Sequence, residues 1–366
     1  MNTDTLYQIA LTLVPNIGAV QAKSLIEHFG SAEDIFKAKR NTLSNIEGIG
    51  DLKANAIKAF TQFHLAEEEI KFCEKHHIQV IALKSNEYPQ RLLHCYDAPT
   101  VLYYRGNANL NATKVISIIG TRTNTDYGKA FTDVLIEALR ELNVLVVSGL
   151  AFGIDAIAHK AALQNNLPTV GLLAHGLDTI YPAQHKAFAK EMLNNGGLLT
   201  EFMQGTNADR HNFPKRNRIV AGMADCTVVV ETAAKGGSMI TAELAYNYNR
   251  DLFAVPGRVG DTKSAGCLKL IQQNKATLLT GAQQLIEAML WSDSKLKKPK
   301  KQPELFINLS ADEKIIVDIL AKKDTTYIDQ IGITSGLSSS AVAAAILSLE
   351  LQNIVISLPG KMYKLK

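Results

Sequence analysis

Four segments of the 366-residue chain pair chemically competent residue types with turn-like spacing. SIIGTRTNTDYG (117–128) breaks a β-branched run at Gly120-Thr121-Arg122. SGLAFGIDAIAH (148–159) places small residues at a turn and sets Asp155 and His159 four residues apart. GTNADRHNFPKRNR (205–218) holds four Lys/Arg against one Asp, with Phe213 among them. ETAAKGGSMITAE (231–243) puts Gly236, Gly237 and Ser238 at an expected helix N-terminus. Unpaired amides and hydroxyls at such turns suit a phosphate. Cations beside an exposed aromatic suit a single nucleic-acid strand, whose bases stack on aromatic faces. Asn212 and Pro214 predict that Phe213 lies in an irregular surface loop.

Several other chemistries lose their support in the sequence. Gly120 stands alone until Gly128, so the G-x-G-x-x-G of a dinucleotide site is missing, and no Walker lysine or nucleophile elbow occurs. An acid–base enzyme would use Asp155 with His159, or Glu231 with Glu243. An Asp in the first helical turn followed by His is more often a dipole-stabilising residue and a packed ring. Cys73, Cys95, Cys226 and Cys267 are scattered without a C-x-x-C pair, which argues against a zinc site or disulfide framework and fits a reducing cytoplasm. We expect no metal, no cofactor and no catalytic residue. The N-terminus lacks the basic region of a signal peptide, and no apolar run reaches membrane-span length. Net charge is +4. No domain is broadly basic, so any nucleic-acid site must be a local groove.

The elements that position these segments follow from periodicity. Residues 1–65 read as helices with two similar Gly-centred turns, VPNIGAVQAKSLIEHFG (14–30) and IEGIGDLKANAIKAF (46–60). They predict a small helix-hairpin-helix, SAM-like domain. Its glycines permit tight turns, and Gly48-Ile49-Gly50 is the better candidate for a phosphate contact. Over 66–290, short apolar runs at 79–83, 115–119, 144–149, 169–174, 197–202, 226–231 and 251–257 alternate with amphipathic helical stretches. That alternation predicts a doubly wound parallel α/β sheet, with ligands beyond the carboxyl ends of its strands. Residues 291–305 form a linker whose core, SDSKLKKPKKQP (292–303), carries five lysines. Residues 306–366 predict helices at 311–322, 326–333 and 338–351, then a hairpin around Pro359-Gly360. Together they read as a winged helix.

The ordered set GTR (120–122), SGLAFGIDAIAH (148–159), GLDTIYP (176–182), FPKRNRIVAG (213–222), KGGSMITAELA (235–245) and AVPG (254–257) resembles the DNA-processing protein A (DprA/Smf) family, as does YPQRLLHCYDAPTVLYYRG (88–106) upstream. The resemblance spans roughly residues 80–280. It implies a Rossmann-like single-stranded-DNA-binding protein of natural transformation that protects incoming strands, loads RecA recombinase and works as a dimer. DNA contacts carry over to Gly120, Thr121, Arg122, Arg210 and Phe213. Some relatives have lysine at the position of Arg210, which keeps the charge. Lys215, Arg216 and Arg218 belong to the same motif, and we expect DNA contact from Lys215 and Arg218, with some of the motif's cations bracing the fold. Gly236, Gly237 and Ser238 complete the expected site.

Two competing classes remain. The 231–243 loop distantly resembles that of nucleotide phosphoribohydrolases, with Gly236, Gly237 and Glu243 in register but Met239 and Ile240 in place of Gly-Thr. A duplex-DNA regulator would rest on the winged helix alone, and its SSSAVAAAILSLEL helix (338–351) carries no basic residue. That composition favours a protein contact surface.

Overall fold

The computed structural model describes residues 3–292, 309–322, 325–352, 354–358 and 361–365. All but the first two residues of the expected linker lie outside the described residues, as does Pro359-Gly360. The chain divides into two units, Met1–Asp293 and Ser294–Lys366.

Six helices open the first unit: α1 (Thr3–Leu13), α2 (Ala19–Phe29), α3 (Ala32–Lys37), α4 (Arg40–Ser44), α5 (Gly50–Ala59) and α6 (Phe63–Lys75). The two expected turns join α1 to α2 and α4 to α5. At the second, Gly48 and Gly50 take φ of +78° and +63°, a region open to glycine at no steric cost, and Ile49 between them is buried. Asp4 on α1 ties the bundle together, because its Oδ1 accepts from the Ala32 and Glu33 amides of α3 at 2.8 and 3.0 Å. Ile9, Leu25, Ile35, Leu43 and Ile57 belong to the same apolar cluster as Val115, Leu145, Val170 and Leu199 of the sheet. The helical front therefore shares a core with the sheet.

The sheet has nine strands: β1 (Gln79–Ala82), β2 (Val101–Gly106), β3 (Val115–Ile119), β4 (Leu145–Ser148), β5 (Thr169–Leu172), β6 (Gly196–Thr200), β7 (Cys226–Val229), β8 (Asp251–Ala254) and β9 (Thr277–Leu278). Their order is β1-β2-β6-β5-β4-β3-β7-β8-β9. The run from β6 to β9 is parallel, whereas β2 pairs antiparallel with both β6 and β1. The expected doubly wound sheet is thus mostly parallel, with an antiparallel edge at β1 and β2, and β2 and β9 are strands that the apolar-run pattern did not assign. Helices α7 (Gln90–Leu93), α8 (Asp126–Ala138), α9 (Ile154–Gln164), α10 (Lys186–Met192), α11 (Asn212–Gly222), α12 (Gly237–Asn247), α13 (Ala265–Gln272) and α14 (Ala282–Ala288) complete the unit. Val115 and Ile119 enter one apolar cluster while Ile116 and Ile118 enter another. Burial on both faces explains why the central strands read as unbroken hydrophobic runs.

The second unit contains α15 (Ala311–Ala321), β10 (Thr326–Tyr327), α16 (Ile328–Ser335), α17 (Ser339–Leu351), β11 (Val355–Leu358) and β12 (Met362–Leu365). Ser310 and Glu313 form a reciprocal capping box at α15. The strands pair antiparallel in the order β10-β12-β11, and Ile316, Ile331, Val342 and Leu349 fill the core. This is a winged helix. The second helix starts at Ile328 rather than 326 because Thr326 and Tyr327 pair with the wing.

Candidate functional site

Strand order reverses at β3, which has β4 on one side and β7 on the other. Crossover helices leave opposite faces of the sheet there, opening a crevice at the carboxyl ends of the strands. A cleft of about 480 Å³ occupies this point. Gly120, Thr121 and Arg122 enter it from the loop after β3, Arg210 from the β6–α11 connection and Phe213 from the first turn of α11. Gly236, Gly237 and Ser238 enter from the start of α12.

The loop after β3 is held on both sides. The Thr121 amide donates to the Glu231 carbonyl at 2.7 Å, and the Thr121 carbonyl accepts from the Ile154 amide at 3.1 Å. The buried Glu231 carboxylate also accepts from the Thr125 amide at 2.9 Å and from the Thr125 hydroxyl. Thr125 in turn caps α8 through the Gly128 amide. A Cβ on Gly120 would lie 2.5 Å from Ile154 Cγ1, and one on Gly153 would lie 2.1 Å from the Thr121 carbonyl oxygen. Both glycines are therefore required by close approach. Glu231 was visible to sequence reasoning only as a candidate acid; its signal as an anchor was a lone carboxylate ending the apolar run of β7.

Phe213 lies in the first turn of α11, not in an irregular loop. Proline is tolerated in a first turn, where its missing N–H would have no helical partner, so Pro214 shapes the helix start instead of preventing it. The Arg122 guanidinium sits 5.3 Å from the Phe213 ring centroid, and that of Arg216 sits 6.0 Å from it. The first turn of α11 has no acidic residue. Arg122 and Arg210 lie exposed beside this positive helix end. The Asp209 carboxylate accepts from the His211 amide at 2.8 Å just before it, and buried Arg216 is balanced by Asp155. The two exposed cations are therefore what the cleft offers an external anion. At α12, which also lacks an acidic first turn, the Ser238 hydroxyl donates to Thr232 Oγ1 at 2.7 Å.

Arg216 is buried and donates to the Gly149 and Leu172 carbonyls. Burial lowers its pKa to about 10, so it remains protonated at neutral pH. Asp155, also buried, accepts from the Gly149 amide at 3.1 Å. Its burial raises the carboxyl above its usual range, against the pull of Arg216. These two groups form the floor of the cleft.

Lys215 and Arg218 do not join the other expected site residues. They line a different cleft, of about 760 Å³, between the helical front and the sheet. Arg218 is buried, pairs with the Glu201 carboxylate and donates to the Asp97 carbonyl. Its donors are thus engaged inside the fold, which fits the bracing role expected of some of this motif's cations. Lys215 is exposed at the rim of this second cleft.

The residues of the enzyme readings are also dispersed. His159 is fully buried, with Nδ1 2.6 Å from Thr169 Oγ1, and burial, then the charges of His185 and Arg216, lower its pKa to about 3. Glu243 pairs with Lys275 at 2.6 Å and does not line the Gly236–Gly237 cleft. The four cysteines are free and buried.

Similarities to known proteins map onto the same segments. Residues 79–290 match the family model for DNA recombination-mediator protein A, residues 9–68 a helix-hairpin-helix motif, and residues 298–361 the DprA winged helix domain. Protein Smf from Synechocystis sp. is 30% identical over 99% of both chains. The structure of DNA processing protein A (DprA) from Streptococcus pneumoniae aligns at 31% identity and a TM-score of 0.68, covering 77% of this chain and 97% of its own. DNA processing protein A from Helicobacter pylori, a protein with a described single-stranded DNA binding mode, aligns at 32% identity and a TM-score of 0.53 over 59% of this chain and 97% of its own. A family model over more than half of the chain and a relative aligned from end to end agree: the chain belongs to the DNA recombination-mediator protein A (DprA/Smf) family.

Proposed function

We propose that this protein binds single-stranded DNA in the cleft at the β3 switch point, protecting incoming strands during natural transformation and loading RecA recombinase onto them. In this reading Arg122 holds a phosphodiester and Phe213 stacks a base. Arg210 adds charge at the rim, while the amides of Gly237 and Ser238 donate to a second phosphate. The observation that carries the reading is Arg122 packed on Phe213, in the first turn of a helix, with Arg210 exposed beside it. Membership of the family and the strand-binding relative from Helicobacter pylori support it. We read the protein as a cytoplasmic homodimer and as a binding protein rather than an enzyme, because Glu243 and His159 are engaged away from the cleft.

A gel shift with single- and double-stranded oligonucleotides of equal length tests the core of this proposal. Stacking requires unpaired bases, so the single strand binds more tightly and without strong sequence dependence. Equal affinity for duplex overturns it. RecA assembly on a bound strand, followed with and without the protein, tests the loading step. Release of free base from purine monophosphates would instead favour the nucleotide-hydrolase reading.

A further inference from the structure

Beyond the cleft, along the carboxyl edge of the sheet, two large aromatic side chains are exposed. Tyr181, on the β5–α10 connection, is 51% exposed, and Phe152, on the β4–α9 loop, is 44% exposed. Singly exposed aromatics are ordinary on a protein surface, and these two are set apart by their place beside the cleft. Tyr181 has a specific mooring. Its amide donates to Nε2 of buried His175 at 3.2 Å, which leaves the proton on Nδ1 to be donated to the Gly176 carbonyl at 2.8 Å. The backbone is thus fixed while the ring stays in solvent. The Tyr181 ring lies 6.1 Å from that of Phe213, tilted by 56°. Phe152 packs edge-on against His185 of the same connection at 4.9 Å. His185 is pinned in turn at 3.0 Å from the Leu150 carbonyl, through its Nδ1.

We propose that Tyr181 is a second stacking platform, which carries a bound single strand out of the cleft over β5, with Phe152 flanking the path. The proposal rests on the single-strand reading of the cleft and adds a direction and a residue to it. Two rings inclined at 56° form a wedge rather than a closed pair. One base can lie on Phe213 inside the cleft, and the next can meet Tyr181 outside it. Base–aromatic stacking does not depend on sequence, because every base has a π-face. The extension therefore lengthens the site without making it selective. The ring and not the hydroxyl does this, so phenylalanine should substitute for Tyr181.

The test compares oligothymidines of increasing length on the full chain. With the unmodified protein, affinity rises with length until the strand reaches Tyr181 and then levels. Tyr181→Ala should leave the shortest bound oligomer unchanged and weaken longer ones by about tenfold, within the range of one lost stack. Tyr181→Phe should retain affinity at every length. Tyr181→Trp, in a Trp291→Phe background, supplies a direct reporter, whose emission should fall when a long oligomer is added and not a short one. Loss at all lengths alike would mean that Tyr181 only props Phe213, and overturns the proposal. No loss at any length, or an emission indifferent to long strands, overturns it too. Failure of the unmodified protein to bind single strands overturns the reading of the cleft itself, and this extension with it.

Discussion

One stretch of α11 serves two clefts. Phe213 and Arg216 face the crevice at the β3 switch point, whereas Lys215 and Arg218 face the cleft beneath the helical front. The same basic run therefore supplies both a candidate ligand surface and a structural brace, and partners make the difference. Arg122 and Arg210 are exposed beside the first cleft. In the second, Arg218 is taken by Glu201 and a backbone carbonyl, and the neighbouring Glu69 accepts from the Gln204 amide. A cation with its charge already satisfied inside the fold has little left to offer a strand. Sequence proximity within FPKRNR says nothing about this division, because successive residues of a helix point about 100° apart.

The sharpest way to break the comparison is Arg218→Ala. It leaves the Glu201 carboxylate buried without its partner, and burial already raises that carboxyl above its usual range while Arg218 pulls it down. Removing one member of a buried ion pair costs roughly 3–5 kcal/mol. The melting temperature should fall by many degrees, while strand affinity of the remaining folded protein stays within a few fold. A large loss of affinity with unchanged stability would put Arg218 in the DNA site after all.

Arg122→Ala and Phe213→Ala act on the other cleft. Loss of a charge-assisted phosphate contact should weaken binding by roughly 1.5–3 kcal/mol. It should also reduce the log–log salt slope by about 0.7. Loss of the stack should weaken binding by roughly 1–3 kcal/mol without moving the slope. Because the two side chains pack on each other, their effects should not add, and the double variant should lose less than the sum of the two. Melting curves should show that both single variants remain folded. Salt slopes that change alike, or full additivity, would separate the two residues.

The second cleft should respond to pH in stability rather than in affinity. Burial raises the Glu69 pKa to about 7, above the value of about 4.3 expected in an unfolded chain. The unfolded state releases its proton first, so stability falls as pH rises from about 4.3 through 7. Glu69→Gln removes this titration. Relative to the unmodified protein, the variant should gain stability between pH 4 and pH 8, read from urea midpoints at each pH. A constant difference across that range would show that Glu69 titrates normally.

The smallest effect concerns the second unit. Removal of residues 304–366, which leaves the linker lysines in place, should leave strand affinity within a few fold, measured by the same gel shift, because the segment holds 6 Lys/Arg against 7 Asp/Glu and α17 offers no cation to a phosphate. Lost binding by a folded truncated chain would assign part of the site to the residues removed.

Much of this was legible in one dimension. Parallel strands buried on both faces leave unbroken apolar runs, and these marked β3, β4, β5, β6, β7 and β8 within a few residues. The strands missed have physical reasons. β2 is antiparallel and lies inside a motif rich in polar turns, and β9 has only two residues. Pro214 and Asn212 read as loop-forming because local propensity does not register that proline is harmless in a first turn. The lone carboxylate ending the β7 run marked Glu231, but not what it anchors, because its partners, Thr125 and the Thr121 amide, lie more than a hundred residues away.

The sequence by itself determined the α/β alternation, the winged helix, the turn glycines and the chemical kinds of group available to a phosphate. These follow from local periodicity and backbone sterics, which act over a few residues. Only the tertiary structure decided which of those groups meet. Arg122 comes to rest on Phe213, and Tyr181 stands beside it, because the sheet changes winding direction at β3 and gathers loops from distant strands at one edge. Arg218 is spent on Glu201 because helical twist turns it to the opposite cleft. A cation's availability depends on the burial and charge around it, and those are properties of the packed chain, not of its order of residues.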